Sequence, residues 1–430
     1  MGAASLALAA YSALLRLATP VYLARLWWRG RREPLYRAAW GERLGFASDQ
    51  PQPGRLWLHA VSLGETRAAA ALIDALRTQQ PGLRLLLTHG TATGREAGRA
   101  LLREGDAQAW LPYDTPGATR RFLRTHRPRV GVLMETEVWP NLLAAARREG
   151  VPMVLANARL SQRSLAKGLR LGALMRPAVA TFTRVLAQTE GDAQRLRQIG
   201  AADAQVLGNL KFDMTPDAAQ LAQGRGWRAE AQRAVVLAAI TREGEESALL
   251  QAWALLPLPR PLLLLVPRHP QRFDEVAGLV AAAGLSLARR STWAAQPPAE
   301  AVDAQVDVWL GDSLGEMALY YGMADVALLG GSFAPLGGHN LIEAAACGCP
   351  LLMGPHTFNF MQAAQWAEAA GAAERVADMQ ACVARAVAVA SDPARASRAA
   401  WAARALAFAA MHRGAAARMA HEVIAVGRIV

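Results

Sequence analysis

Short apolar runs alternate with helical patterns along most of the chain after residue 50. Such alternation, with helical stretches of about 10 to 15 residues between the runs, is typical of βα units that form a parallel sheet. The runs fall into two series, one in each half of the chain. The first series is RLWLHAV, LRLLLTHG, VGVLMETE, VPMVLANAR, VLAQ and AQVLGN, and the second is AVVLAAI, PLLLLVPRHP, LSLARR, VDVWLGD, ADVALLGGS and CPLLMGP. The pattern predicts an α/β protein with two doubly wound domains, which also suits a length of 430 residues.

The apolar periodicity fades between residues 213 and 226, where Pro216 and two glycines occur. We place an irregular domain boundary there. The predicted domains are therefore residues 31–212 and 213–430, preceded by a separate segment over residues 1–30. Residues 291–305 are expected to form a loop, and the chain after Met361 reads as helical.

The N-terminal segment is uncharged from Gly2 to Leu15, is interrupted by Arg16, and ends in two tryptophans and a basic cluster. Its apolar length of about 20 residues is enough to span a bilayer. An arginine at the centre of a span costs ~2.5 to 3.5 kcal/mol, but one past the middle can reach the headgroups. A spanning helix, an in-plane anchor and a buried first helix of the globular domain are all compatible with the pattern. The following arginines predict that the rest of the chain lies on the cytoplasmic side.

Composition narrows the class of protein only a little. Hydrophobic residues make up 53% of the chain and charged residues 19%, which excludes global disorder. The net charge of +12 suits an anionic partner, and it is almost wholly arginine because only Lys167 and Lys211 are lysines. The three cysteines have no paired spacing, so neither a disulfide framework nor a zinc site is predicted.

Glu65 follows the apolar run LWLHAV and begins a helical pattern. Ser62 and Glu65 have the spacing of a capping box, which would explain the acid structurally. Ligands of open parallel sheets bind at the carboxyl ends of the strands, however, and Glu65 is expected at such an end. Spacing alone leaves both roles open.

Three further groups in the first half occupy similar positions. Glu135 and Glu137 follow the run VGVLM, where two acids could also serve only to complement a helix dipole. Asn157, Arg159 and Ser161 lie at the end of the next strand, where they form a polar group that would suit a hydroxylated or acidic ligand. An ordinary polar loop is the structural alternative for them. Lys211 lies just before the domain boundary, where a compact cation would suit a phosphate, although it could equally be a surviving lysine without a function.

The second half offers candidates for phosphate binding. Arg268, which follows Pro267 and precedes His269, is expected at the end of a buried strand, where a guanidinium can hold a phosphate with two hydrogen bonds. Leu314–Glu316 are expected to offer backbone N–H groups to the same phosphate. The segment LLGGSFAPLGGHNLIEAAACGCP leads through glycines into a helix that is expected to begin near Asn340. The alternative to phosphate binding is that these glycines serve only tight packing and that Glu343 lies on a solvated face. The chain has no D-x-D pair, H-E-x-x-H or Walker A motif, so no bound metal is predicted.

Eight segments, in the same order along nearly the whole chain, resemble the 3-deoxy-D-manno-octulosonic acid (Kdo) transferases of lipopolysaccharide assembly. They are HAVSLGET, METEVWPN, NARLSQRS, GNLKFD, TREGEE, VPRHPQRF, GGSFAPLGGHNLIEAAACGCP and GPHTFNF. The resemblance implies a GT-B fold, in which two Rossmann-like domains face each other across a cleft, with an N-terminal membrane-anchor helix. It implies an inverting, metal-independent glycosyltransferase at the cytoplasmic face of the inner membrane, with CMP-Kdo as donor, a tetra-acylated lipid A precursor (lipid IVA) as acceptor and no separate cofactor. Residues 31–212 would bind the acceptor and residues 213–430 the donor.

The resemblance also assigns residues. Glu65 matches the family's proton acceptor, and Glu135 and Lys211 match positions thought to support the transition state. The segments that match the CMP-binding positions are Pro267 and Arg268; Leu314, Gly315 and Glu316; and Asn340, Leu341, Ile342 and Glu343. Leu341 departs from the family pattern, which often has proline there, but it should still permit a helix to begin.

Two alternatives remain at this level. Another membrane-bound GT-B enzyme that uses a uridine nucleotide sugar would share most of these features. A membrane-tethered nucleotide-binding or nucleic-acid-binding protein would exploit the net charge of +12. The sequence shows no aromatic stacking pattern and no recognised nucleic-acid motif, so we expect no nucleic-acid partner.

Overall fold

A computed structural model describes residues 2–47, 51–231, 233–293, 296–297, 306–392 and 396–428. The chain divides into two compact units, which are residues 1–214 with 413–430, and residues 215–412. Residues 413–430 therefore belong to the first unit, whereas the sequence assigned them to the second domain. Most of the loop expected at residues 291–305 lies outside the described residues.

The first unit contains a parallel sheet of seven strands among its described residues, in the order β3-β2-β1-β4-β5-β6-β7. The order reverses between β1 and β4, as in a doubly wound fold. The strands are β1 (Leu56–His59), β2 (Leu85–His89), β3 (Ala107–Trp110), β4 (Val130–Met134), β5 (Met153–Ala158), β6 (Arg184–Ala187) and β7 (Ala204–Val206).

Helices cover both faces of this sheet. The helices of the unit up to residue 198 are α1 (Ala3–Arg29), α2 (Trp40–Arg43), α3 (Leu63–Gln79), α4 (Ala92–Arg99), α5 (Pro116–His126), α6 (Pro140–Arg148), α7 (Gln162–Arg170), α8 (Gly172–Val179) and α9 (Glu190–Gln198). Alternate residues of β1 enter opposite layers, since Leu56 and Leu58 pack into one core cluster and Trp57 into the other. Because both faces are covered, the strands read as nearly continuous apolar runs.

The second unit has the same architecture. Its described strands form a parallel sheet in the order β10-β11-β9-β8-β12-β13-β14, with the reversal between β8 and β12. The strands are β8 (Val235–Thr241), β9 (Leu262–Pro267), β10 (Leu287–Arg289), β11 (Val308–Leu310), β12 (Val326–Leu329), β13 (Leu351–Met353) and β14 (Ala373–Arg375). The two predicted parallel sheets are thus confirmed.

The helices of the second unit continue the numbering. They are α10 (Ala218–Glu230), α11 (Glu245–Ala254), α12 (Phe273–Ala282), α13 (Met317–Met323), α14 (Leu341–Ala346), α15 (Met361–Ala369), α16 (Met379–Ala390) and α17 (Ala396–Met411). The boundary region predicted to be irregular is largely helical, because Asp217 caps α10 by accepting from the backbone N–H groups of Ala219 and Gln220.

The last helix, α18 (Ala415–Arg428), packs in the first unit. Met419 and Val423 join the core cluster that contains Leu56 and Leu58. The Asp213 carboxylate accepts from the backbone N–H groups of Gly414 and Ala416, which fixes the start of α18.

Helix α1 is long and apolar enough, by length and composition, to cross a membrane. Only 6% of its most apolar stretch is buried, so it is not a core helix. Its first half is nevertheless attached to the first unit. The Tyr11 hydroxyl donates to Asp114 Oδ2 at 2.9 Å, and the buried Ser12 hydroxyl donates to Asn141 Oδ1 at 2.8 Å.

Candidate active site

Two acidic side chains lie where the strand order of the first sheet reverses. Glu65 is on the first turn of α3, which follows β1, and Glu135 directly follows β4. Strands β1 and β4 are hydrogen-bonded neighbours, so their carboxyl ends are adjacent. Open α/β sheets bind ligands at this position.

The capping contact predicted for Glu65 is present, with one difference. Ser62 is the N-cap of α3, and its hydroxyl accepts from the Glu65 backbone N–H at 3.4 Å. The Glu65 carboxylate accepts from the backbone N–H of Val61 at 2.9 Å, whereas a capping box would use the N–H of Ser62. The cap therefore orients the carboxylate at the end of β1.

The environment of Glu65 raises its pKa to about 7. Burial is the largest cause, since it penalises the charged carboxylate, and the negative charges of Glu135 and Glu137 add to it. The hydrogen bond from Val61 opposes the shift. A carboxylate with such a pKa can accept a proton near neutral pH.

Replacing Glu65 by glutamine is expected to stabilise the folded chain at alkaline pH. A raised pKa means that stability is lost as the pH rises from the ordinary glutamate value toward about 7. Glutamine removes this cost, so the variant should be the more stable protein above pH 7, and the two should converge at acidic pH. Thermal unfolding as a function of pH measures this, and a variant that is less stable at pH 8 would contradict it.

Glu135 and Asn157 both have a left-handed backbone at the ends of neighbouring strands, with φ of 55° and 52°. Such conformations in non-glycine residues are uncommon and cluster at functional sites. The buried Glu135 carboxylate forms an ion pair with Arg159 at 2.9 Å. Asn157 is fully buried, and its side-chain oxygen accepts from the backbone N–H of Leu210 at 3.1 Å. This bond fixes the segment that carries Lys211.

Lys211 lies in a single 3-10 turn, Leu210–Asp213, and its ammonium is close enough to interact with both Glu135 and Glu65. Burial lowers its pKa, and Arg159 contributes in the same direction, while the two carboxylates oppose the shift. The structure therefore brings Glu65, Glu135 and Lys211 together. The pKa of Glu137 is raised by burial, and its carboxylate accepts from the Trp139 indole at 2.7 Å. Ser161 caps α7.

The candidates in the second unit follow strands that end at one edge of the second sheet. Pro267 is the last residue of β9, and the exposed Arg268 comes next. Leu314–Glu316 follow β11, which pairs with β9. Asn340–Glu343 follow β12, which pairs with β8 on the other side of the reversal point.

A basic cluster occupies the reversal point of the second sheet. Arg268, Arg242 and His269 all act electrostatically on His339, whose pKa falls to about 4 mainly through burial. His339 is therefore neutral at pH 7. Sequence reasoning missed Arg242 and His339 as site residues, although both lie in segments that carried the resemblance, TREGEE and GGHN.

The glycine-rich loop after β12 is organised differently from the expected phosphate cradle. The Glu245 carboxylate accepts from the backbone N–H groups of Gly331 at 2.7 Å, Phe333 at 3.0 Å and Ala334 at 3.3 Å. Glu245 also accepts from the N–H of Arg242 at 2.9 Å. The buried Glu245 carboxylate is thus hydrogen-bonded to backbone N–H groups of the loop that we expected to bind a phosphate. Gly330 is required because a Cβ there would lie 2.2 Å from the Ile240 carbonyl oxygen.

Glu245→Ala should destabilise the second unit by roughly 3 kcal/mol, because four buried or half-buried backbone N–H groups lose their acceptor. Chemical denaturation measures the loss. Glu243→Ala is the matched control, since Glu243 is an exposed acid two residues before Glu245 and should change stability by less than about 0.5 kcal/mol. Equal stability of the two variants would show that Glu245 does not hold the loop.

The remaining residues that were predicted to bind the nucleotide differ in which of their atoms are accessible to a ligand. Asn340 caps α14, which begins at Leu341 as expected. Leu341 and Ile342 are buried, so only their backbone can face a ligand, and Glu343 lies in the first turn. Leu314 is 75% exposed, Gly315 is left-handed with φ of 84°, and Glu316 forms an ion pair with Arg290 at 2.7 Å.

The described residues contain no group of three or more His, Cys, Asp or Glu side chains arranged to hold a metal ion. Cys347, Cys349 and Cys382 are buried, and none forms a disulfide.

Two parallel α/β sheets, each with polar side chains where its strand order reverses, define the two-domain GT-B fold. Solved structures support this fold. A glycosyltransferase of Rickettsia africae is 12% identical and covers 87% of this chain and 99% of its own, with a TM-score of 0.59. Anabaena HepE in complex with UDP-glucose is 14% identical and covers 86% of this chain and 99% of its own, with a TM-score of 0.57.

Sequence relatives identify the family. The family model for 3-deoxy-D-manno-octulosonic-acid transferase (kdotransferase) matches residues 38–214. The 3-deoxy-D-manno-octulosonic acid transferase of Bordetella pertussis is 50% identical over 95% of this chain and 96% of its own length. That of Haemophilus influenzae is 34% identical over 81% and 82%. The chain belongs to the Kdo transferase family, and it is a Kdo-transferring glycosyltransferase of lipopolysaccharide biosynthesis.

Proposed function

We propose that this chain transfers Kdo from CMP-Kdo to a tetra-acylated lipid A precursor, lipid IVA, with inversion at the anomeric carbon and with Glu65 as the general base. The observation that carries the proposal is the position and environment of Glu65. Its carboxylate is held by the Val61 N–H at the reversal point of the first sheet, and its pKa is raised to about 7.

Glu65 would accept the proton of an acceptor hydroxyl as the hydroxyl oxygen forms a bond to the anomeric carbon of Kdo. The bond from that carbon to the CMP phosphate oxygen breaks in the same step, and its electron pair leaves with CMP. A single displacement of this kind inverts the anomeric configuration. General base catalysis is worth ~10²- to 10⁴-fold in rate when the pKa of the base lies near the working pH.

Glu135 and Lys211 would act beside this base. The ammonium of Lys211 interacts with both carboxylates, and burial makes that interaction stronger than it would be in water. We assign Lys211 to stabilising negative charge that develops in the transition state. We assign Glu135 to holding Lys211 and Arg159 in place, supported by its ion pair with Arg159.

The second unit would bind the donor. The phosphate of CMP-Kdo and the carboxylate of its sugar are both anionic, which suits the cluster of Arg268, Arg242 and His269 around neutral His339. Pro267, Leu314–Glu316 and the backbone of Asn340–Glu343 lie on the same edge of the sheet and would contact the nucleotide. Arginine side chains would then supply the positive charge, and we propose that the reaction is independent of a metal.

Helix α1 would hold the enzyme at the inner membrane, with both units on the cytoplasmic side. The support is the length and apolar composition of α1 together with the arginines that follow it. Membrane attachment would keep the enzyme near an acceptor that is itself a membrane lipid.

The test is product analysis by mass spectrometry with the full-length protein, lipid IVA and freshly prepared CMP-Kdo, in the presence of EDTA. The proposal predicts product masses increased by whole Kdo units, undiminished by the chelator. Parallel reactions with UDP-glucose should give no product. Transfer only from the uridine donor would overturn the donor assignment, and loss of activity with EDTA would overturn metal independence.

A further inference from the structure

We propose that a groove between α1 and the helices α5 and α6 binds one anionic glycerophospholipid of the membrane. The groove has a volume of about 420 Å³ and is distinct from the site that contains Glu65. The proposal rests on the membrane attachment of α1 proposed above, but it does not depend on the donor, the acceptor or the role of Glu65.

The groove is a built feature of the first unit, because α1 is fixed against it. The Tyr11 hydroxyl donates to Asp114, and the Asp114 carboxylate also accepts from the backbone N–H groups of Asn141 and Leu142 at 3.1 and 2.7 Å. The hydroxyl of Ser12 donates to the Asn141 side chain in a buried contact. One wall, α1, is thus attached to the first turn of α6, which forms the other.

The positive charge of the groove favours an anionic ligand. Arg16, Arg120 and Arg148 line it, one from each of the three helices. Within the described parts of the chain none of the three forms an ion pair with an acid. Glu149, an acid that also lines the groove, is held by Arg124 at 2.9 Å. Three unpaired guanidinium groups therefore surround a space whose one acid is already neutralised.

The apolar part of the lining indicates a lipid as the source of that anion. Leu8 and Ala9 of α1 and Ala144 of α6 line the groove. Its volume lies within the usual range for small-molecule sites. Outside the groove, Leu14 and Leu17 of α1 are 65% and 78% exposed. A free phosphate compound would gain nothing from these apolar surfaces, whereas a phospholipid places its phosphate among arginines and its acyl chains against apolar side chains.

The proposal also accounts for Arg16, the charge that interrupts the apolar segment. A lone arginine on a membrane helix is costly unless it reaches headgroups or an anionic partner. Arg16 lines the groove, so a lipid phosphate bound there would supply that partner.

Native mass spectrometry of the detergent-solubilised full-length protein tests the proposal, with phosphatidylglycerol and phosphatidylcholine added in equal amounts. We expect one phosphatidylglycerol to remain bound to each chain, in preference to phosphatidylcholine. The double variant Arg120→Ala/Arg148→Ala should bind it about 30-fold more weakly, since each arginine near an anionic headgroup contributes about a factor of five. Both side chains are exposed, so the variant should fold normally.

Two further variants make the result specific. Arg147→Ala is the matched control, because Arg147 is an exposed arginine on the same helix that does not line the groove, and it should bind the lipid as the wild type does. Arg120→Lys/Arg148→Lys should restore most of the binding. Equal retention of phosphatidylcholine, or equal loss in the Arg147→Ala variant, would overturn the proposal. Displacement of phosphatidylglycerol by an equal amount of lipid IVA would also overturn it, since the groove would then belong to the acceptor site.

Discussion

Glu65→Gln should lower kcat for Kdo transfer by about 10³-fold and leave the KM for the donor nearly unchanged. Glutamine keeps the size of the side chain and can still accept from the Val61 N–H, but it cannot take a proton from the acceptor. Steady-state kinetics with varied CMP-Kdo separates the two parameters.

Ser62→Ala is the control that distinguishes catalysis from helix capping. It removes the hydroxyl that accepts from the Glu65 N–H and keeps the carboxylate. We expect a loss of roughly 1 kcal/mol in stability and only a small change in kcat. If Glu65→Gln and Ser62→Ala lowered activity equally, the role of Glu65 would be structural.

Arg268→Ala should lower kcat/KM for CMP-Kdo by about 100-fold. A guanidinium that makes two charged hydrogen bonds to a phosphate contributes up to about 3 kcal/mol, and the remaining cluster retains part of the charge. Because Arg268 is exposed, the variant should keep the stability of the wild type. Kinetics at subsaturating donor measures the effect.

Arg268→Lys refines this test. Lysine keeps the positive charge but not the planar pair of donors, so we expect an intermediate loss. Full activity of Arg268→Ala would exclude contact between Arg268 and the donor, and an equal loss in both variants would show that the paired geometry matters more than the charge.

Hydrophobic patterning predicted most of both sheets because their strands are buried on both faces and read as continuous apolar runs. Strands β3 and β14 were missed for the opposite reason. Each is only three or four residues long, with the sequences AQAW and AER, contains at least one polar residue and is only partly buried. Their pairing depends on neighbouring strands rather than on their own composition.

The membership of α18 in the first unit could not be predicted from local pattern. It depends on contacts between Asp213 and the backbone of Gly414 and Ala416, about 200 residues away. The same limit applies to the loop after β12, since the acid that organises it, Glu245, lies on a different βα unit. Polar residues directly after apolar runs were predictable as a site, because parallel strands end at one edge of their sheet.

Membership in the Kdo transferase family is established by relatives, whereas the role of Glu65 depends on its environment. Its carboxylate is buried near two other acids, which raises its pKa to about 7. The mechanism requires the deprotonated Glu65 carboxylate. The rate should therefore follow the fraction of Glu65 that is deprotonated at each pH.

The most direct test is therefore the pH dependence of kcat/KM for the wild-type enzyme with lipid IVA. The account predicts a rate that rises with pH through a midpoint near 7, as Glu65 loses its proton in the free enzyme. A rate that stayed constant between about pH 5 and 8 would contradict it, because no group with the pKa of Glu65 would then control the reaction.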